Sequence, residues 1–166
     1  KKQQLHISVR NLVEFIFKEG DIDQRAGKIS SADAMLEGTR IHKKIQKSMG
    51  DEYQAEVPLK MIFHQELYDL EIEGRADGIF TEDDESVWID EIKGIYRKLE
   101  LVEEAVYVHK AQAMCYAYIF AWQNELNEIG VQVTYCNLDS EEIKRFREHF
   151  LFEDLKVWFE SLLEKY

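Results

Sequence analysis

A chain of 166 residues, 45% hydrophobic and 12% aromatic, has the material for a real core, and it carries a formal net charge of -12. That charge argues against an ordinary polyanion binder, because pairing phosphates with cations drives affinity for nucleic acid. No apolar run of about eighteen residues is present to span a membrane, and the opening KKQQLHIS lacks the apolar stretch of a secretory signal.

A cytoplasmic protein is therefore expected; residue 1 is Lys rather than Met, which leaves open whether the natural chain is longer. Cys115 and Cys136 lie in apolar contexts without metal-ligand spacing and read as buried thiols.

In chain order, Ser8 caps a first helix, VRNLVEFIFKE, which Gly20 ends. GDIDQRAGKIS reads as a polar loop. Ser30 with Asp33 resembles a capping box opening a second helix to about Met49. Residues 53–63 alternate, with Ala55, Val57, Leu59, Met61 and Phe63 on one side, and Pro58 marks an edge strand. Strands at 66–81 and 86–96 follow, joined by the acidic turn TEDDES. A long helix is expected from Glu103 to Ile129, closely packed from Ala111 to Trp122. VQVTYCNL reads as a fourth strand. Ser140 then caps a last amphipathic helix with Ile143, Phe146, Phe150, Leu155, Trp158 and Leu162 on its apolar face. No repeat or low-complexity tract divides residues 1–166, which read as a single α/β (α+β) domain: a central mixed sheet of about four strands flanked by helices.

The two middle strands carry acids among their apolar residues: EGRADGIF at 73–80 and WIDEIKG at 88–94. Strand alternation puts Glu91 and Lys93 on one face and Asp90 on the other, and groups Asp77 with Glu73 and Arg75. A hairpin turning at Asp83–Asp84 pairs residues whose numbers sum to about 167 or 168, so Asp77 faces Asp90 or Glu91 across the pair. Two carboxylates so close repel unless a cation or a proton lies between them. A hard divalent ion with oxygen ligands fits that pair, with Lys93 as a fixed charge beside it. An isolated E-x-K is ordinarily a solvated hairpin face, so the signal lies in what surrounds it.

On the second helix Gly38, His42, Ile45 and Met49 form one stripe, and Gly38 leaves space beside His42 for something to approach the imidazole. Gln112 and Tyr116 share a face of the long helix. Together and in order, Gly38–His42, Glu56 in AEVPL, Gly74–Asp77, Glu91-Ile92-Lys93 and Gln112–Tyr116 resemble the RecB-like exonuclease branch of the PD-(D/E)XK nuclease superfamily. The opening SVRNLVEF and the AEVPLK strand further resemble the N-terminal nuclease domain of bacterial superfamily-two DNA helicases.

The resemblance implies a restriction-endonuclease-like fold and a Mg²⁺- or Mn²⁺-dependent deoxyribonuclease, an exonuclease acting on DNA ends in repair or recombination. Asp77 and Glu91 would hold the metal, with the Ile92 carbonyl and His42 as further ligands. Lys93 would orient or deprotonate the attacking water. Gln112 and Tyr116 would order the site or contact the strand being cut, and Glu56 is an additional candidate acid. Some relatives bind an iron–sulfur cluster through four cysteines; with only Cys115 and Cys136, no iron–sulfur cluster is expected here. The implied partners are DNA, held by Arg40, Lys43, Lys44, Arg97 and Lys98, and a helicase domain in the same longer chain. No membrane partner is expected.

Phosphodiester hydrolysis needs an activated water and charge stabilisation at phosphorus, which carboxylate-held metal and a lysine can supply. The rival reading is a catalytically silent nuclease-fold module that binds nucleic acid or scaffolds a helicase. A hydrolase with a dinuclear site would want more histidine ligands than His42 and His109. The Glu82–Glu85 turn lacks the spacing of a calcium loop and reads as a solvated hairpin tip.

Overall fold

The computed structural model describes residues 2–17 and 31–166, with side chains described from residue 38 onward in the second segment. Its elements in chain order are β1 (Gln3–Ser8), α1 (Val9–Phe17), α2 (Ser31–Ser48), β2 (Tyr53–His64), β3 (Tyr68–Thr81), β4 (Val87–Ile95), a 3₁₀ turn (Leu99–Leu101), α3 (Tyr107–Gln123), β5 (Glu128–Asn137), β6 (Ile143–Leu151) and α4 (Phe152–Glu164). The result is an α+β fold with a central mixed sheet flanked by helices.

Ser8 does cap α1, its Oγ accepting the Asn11 N–H at 3.1 Å. The expected stop at Gly20, the polar loop to Ser30 and the Ser30–Asp33 box lie outside the described residues.

Among the described residues the sheet has six strands rather than about four. β1 escapes a pattern reading because only Leu5 and Ile7 punctuate a polar stretch; it gains its partners from β3, with which it runs parallel. β6 lies where the start of the last helix was expected. Phe146 and Phe150 are four residues apart, and that interval fits one helical turn and two strand steps alike. As a strand they share a face, whereas Ile143 lies on the other parity and is exposed. The long helix also stops sooner than expected. The Asn124 side chain donates to the Phe120 carbonyl at 2.9 Å, Glu125 turns left-handed at φ 56°, and Ile129 becomes part of β5.

β3 organises the sheet. β2 runs antiparallel along one edge, from Tyr53 opposite Phe80 to His64 opposite Asp69. As Pro58 suggests, β2 has no second partner among the described residues. The other edge is shared: β1 pairs parallel with Tyr68–Glu73, and β4 pairs antiparallel with Gly78–Thr81. Among the described residues, Gly74–Asp77 have no strand partner on that edge, because β1 leaves into α1 at Ser8 while β4 diverges to pair with β5. The sheet thus forks at Gly74–Asp77.

Helices α1, α3 and α4 cover one face around a core that includes Leu12, Ile72, Ile89, Ile119 and Phe159. Helix α2 covers the other through Ile41 and Ile45, packed on Ile92, Cys136 and Leu138.

At the fork both strands swap faces. Added Cβ atoms at Gly74 and Gly78 would share a face in a regular strand, yet the first meets Tyr116 of α3 and the second meets Tyr53 on the α2 side. On β2 likewise, Val57, Leu59, Met61 and Phe63 pack into the α3-side core, while Tyr53 turns to the α2 side and hydrogen-bonds Asp90. Ala55 is exposed and does not join the expected stripe. The inversion centres on Glu56, left-handed at φ 57°, and Asp77 opposite it, the one place within the β2–β3 ladder where pairing lapses.

The packing generates a stability prediction. A Cβ at Gly78 would stand 1.9 Å from the Tyr53 ring, and that ring is pinned by its 2.7 Å hydrogen bond to buried Asp90. Gly78→Ala should therefore cost about 1–3 kcal/mol in denaturant unfolding. Stability equal to the parent's would show that Tyr53 is free to move aside.

Candidate functional site

The candidate residues meet at the fork. β3 and β4 pair with numbers summing to 168, Gly78 opposite Asp90 being the last pair. One step further, Asp77 and Glu91 are no longer ladder partners. The Asp77 carboxylate turns into the opening and accepts the Ile92 N–H at 2.7 Å. It also lies 3.4 Å from His42 Nε2.

His42 reaches this point because α2 packs beside β4. Its Nδ1 lies 2.8 Å from the Gly38 carbonyl, an acceptor only, so Nδ1 donates and the neutral ring keeps its lone pair on Nε2, toward Asp77. Gly38 therefore serves through its carbonyl. An added Cβ there would meet nothing within 4 Å, so missing bulk is not its contribution. Burial lowers the His42 pKa, but the hydrogen bond and charge of Asp77, helped by Gly38 and Glu91, outweigh it and leave the imidazole above its ordinary value.

Glu91 points to the α3 side, as its alternation with Ile92 requires, and is buried. Burial raises its pKa first and the Asp77 charge second; the Lys93 charge and hydrogen bond oppose both, and the outcome is a carboxyl pushed up to about 8. Lys93 Nζ sits 3.2 Å from Glu91 Oε2.

From α3, Tyr116 and Gln112 close the same side. Gln112 and the Arg75 backbone hydrogen-bond the Tyr116 hydroxyl, whose pKa is raised first by burial and next by the Glu91 charge. Gly74 is glycine for a concrete reason: a Cβ would fall 2.7 Å from that hydroxyl.

Asp90, by contrast, points to the α2 side, where Tyr53 (2.7 Å), Thr134 (2.6 Å) and Gln132 (3.1 Å) all donate to its carboxylate. Burial raises its pKa and those three bonds resist the rise. Truncating it would strand buried donors, so its role is to hold the strand pair behind the site.

Glu56 stands opposite Asp77 but is exposed and turned to other partners, Gln46 at 2.8 Å and Arg75 at 3.6 Å. Of the candidate DNA-contacting cations, Arg40 lies 3.1 Å from Glu141 and Lys44 is paired with the same carboxylate. Lys43 and Lys98 are exposed, and Arg97 donates to the Leu101 carbonyl at 3.4 Å.

Two neighbours were not picked out as site residues by sequence. Gln46, one turn beyond His42 on α2, donates to the Asp77 carbonyl at 2.8 Å. Its spacing of four from His42 was the available signal. His109, three residues before Gln112, lies beside Lys93 with Nδ1 2.7 Å from the Tyr135 hydroxyl. Burial first and the Lys93 charge second lower its pKa to about 3, so the ring is neutral.

The donor set suits a hard divalent cation: two carboxylates that repel each other across the fork, and an imidazole whose Nε2, a lone-pair donor in the neutral ring, faces Asp77. Among the described residues, no three His, Cys, Asp or Glu side chains are already gathered in ligand geometry. As the side chains stand, His42 is directed at Asp77 and Lys93 at Glu91. Among the described residues, no helix is long and apolar enough to cross a membrane.

No protein-family model matches the chain, and no curated protein matches it. Among solved structures, the crystal structure of SSO0001 is similar, with a TM-score of 0.61 and 20% identity over 99% of this chain and 78% of that one. At that identity the likeness carries the fold alone.

The electrostatics predict a pH dependence. A carboxyl whose folded pKa is raised binds its proton more tightly in the folded state, so stability falls as pH climbs from the ordinary glutamate range toward about 8. The raised His42 acts in the same sense, its contribution lost as pH rises through its folded pKa. In EDTA, the melting temperature should fall between about pH 5 and pH 8, and less steeply in Glu91→Gln. At pH 8, Mn²⁺ should raise it for the parent and not for Glu91→Gln. Thermal scans across that range check both.

Proposed function

We propose that this domain is a metal-dependent DNA nuclease of the PD-(D/E)XK superfamily, RecB-like branch, hydrolysing phosphodiester bonds from DNA ends in a cytoplasmic repair or recombination setting. The observation that carries this reading is the meeting of Asp77, Glu91, Lys93 and His42 at one fork, closed by Gln112 and Tyr116. These come from four separate elements, and a solvated hairpin face would have had no reason to gather them.

In this reading Asp77 and Glu91 hold Mg²⁺ or Mn²⁺, with His42 and the Ile92 carbonyl as further ligands. When bound, such an ion supplies charge stabilisation at phosphorus and a more acidic water. The raised Glu91 pKa supports the assignment: a buried acid that favours a proton for want of a cation is one a cation can occupy in its place. Lys93 is paired with Glu91 in the metal-free site. The Lys93 ammonium would orient the attacking water and hold a non-bridging phosphate oxygen. Neutral His109 beside it adds no second positive charge next to Lys93.

A net charge of -12 and the engagement of Arg40 and Lys44 by Glu141 leave the domain a weak electrostatic hold on a duplex. Ends, where one strand can enter the fork unpaired, are then the favoured substrate, and a helicase domain in the natural chain could supply the grip. The same charge distribution is what favours the second reading, a catalytically silent scaffold module.

Incubation with end-labelled linear and closed circular DNA separates the two. Linear DNA should shorten with Mg²⁺ or Mn²⁺ but not with EDTA, activity should drop steeply with salt, and circles should be largely spared. A folded protein that cuts neither substrate with either metal would favour the silent module. Within the nuclease reading, Lys93→Ala should abolish cleavage while Mn²⁺ binding and melting temperature stay near the parent's. Parental cleavage by that variant would make Lys93 a bystander.

A further inference from the structure

We infer that Gln46 and Glu56 form a positioning pair that aims Asp77 into the fork, and that Glu56 is not itself a ligand of the cation. This rests on the proposed role of Asp77 as a metal ligand and extends it to residues which touch neither metal nor substrate.

The starting observation is the backbone of Glu56. At φ 57° it adopts a conformation that side chains with a Cβ rarely take and that glycine takes freely. The turn there interrupts the β2–β3 ladder: Ala55 pairs with Gly78 and Val57 with Ala76, while Glu56 and Asp77, opposite each other, do not pair. Without ladder bonds, the main chain of Asp77 needs another partner.

Gln46 supplies it. Its Nε2 donates to the Asp77 carbonyl at 2.8 Å and to Glu56 Oε2 at 2.8 Å, tying the two lapsed positions together from α2. The other carboxylate oxygen of Glu56, Oε1, faces Arg75 at 3.6 Å. Both oxygens of Glu56 are thus directed at protein groups outside the Asp77–Glu91 pair. One turn back on α2, His42 contacts the Asp77 side chain. A single helix therefore holds Asp77 at two points, main chain through Gln46 and carboxylate through His42.

The consequence is directional. The face inversion of β3 occurs at Asp77, and it turns the carboxylate toward the Ile92 N–H of β4. If the Gln46–Glu56 link is lost, the Asp77 main chain loses its tie to α2 at the lapsed pair, and the carboxylate is no longer held toward the fork. The left-handed turn at Glu56 is the strained part of the device, and its side-chain bonds offset that strain.

The test compares the parent with Gln46→Ala, Glu56→Gly, Glu56→Gln and Asp77→Asn. Mn²⁺ affinity is read by calorimetry, and melting temperature and Ile92 amide exchange are read without metal. Gln46→Ala and Glu56→Gly should weaken Mn²⁺ binding about ten- to a hundredfold, as loss of a supporting partner does. Both should speed exchange of the Ile92 amide. Glu56→Gly should nevertheless melt no lower than the parent, because glycine accepts the left-handed backbone, so a general loss of stability cannot explain the result. Glu56→Gln keeps an oxygen that accepts from Gln46 and should bind Mn²⁺ like the parent.

Parental Mn²⁺ affinity and Ile92 protection in Gln46→Ala and Glu56→Gly would overturn the inference. So would a Glu56→Gln variant as weak as Glu56→Gly, since the charge of Glu56 would then be what matters. If Asp77→Asn binds Mn²⁺ like the parent, Asp77 is no ligand, and both the underlying reading and the inference fall. If Asp77→Asn alone loses affinity, the reading stands and only the positioning pair fails.

Discussion

Burying Glu91 beside Asp77 costs free energy that neither carboxylate can return to the other. Lys93 offsets part of it, while burial and the Asp77 charge push the Glu91 carboxyl above the ordinary glutamate range. Ile92 gives its N–H to Asp77 instead of to a strand, His42 Nε2 lies 3.4 Å from the same oxygen, and Tyr116 walls the α3 side without adding charge. Each of these placements follows from the need to keep two acids together in a half-dry opening.

That opening exists because β3 is longer than either strand on its shared edge. Once β1 has left into α1 and β4 has bent toward β5, Gly74–Asp77 stand without strand neighbours on that edge among the described residues. A closed sheet would separate α2 from α3 completely. At the fork, a histidine from the α2 layer and a tyrosine from the α3 layer reach the same carboxylates. The reverse side of β4 is secured independently. Tyr53, Gln132 and Thr134 clamp Asp90, so the strand carrying Glu91 and Lys93 is fixed from behind by a fully hydrogen-bonded network.

Much of this was legible in the residues. The acids embedded in apolar strands, the hairpin sum of 168 and the spacing of His42, Gln112 and Tyr116 point to one locus, because period two and period 3.6 fix which side chains can meet. What escaped was whatever local periodicity does not encode. β1 depends on a partner more than sixty residues away in sequence, and β6 hid behind an interval shared by helix and strand. The left-handed turn at Glu56 is invisible in AEVPL, since nothing about a glutamate announces φ 57°. The face inversion, and with it the contribution of Gln46, followed from that unannounced turn. Gly38 shows the converse: its place in the pattern was readable, while its use, a carbonyl for His42, was not.

The surface sets the remaining boundary. Glu141 engages Arg40 and Lys44, and the overall charge is strongly negative. The central claim is that Asp77 and Glu91 are held together to take a divalent cation. Anomalous diffraction from crystals grown with Mn²⁺ tests it most directly. The account predicts one strong peak at the fork with carboxylate oxygens of both Asp77 and Glu91 at about 2.0–2.3 Å. A peak coordinated elsewhere, or a fork in which Lys93 stays on Glu91 and His42 on Asp77 at saturating Mn²⁺, would contradict it.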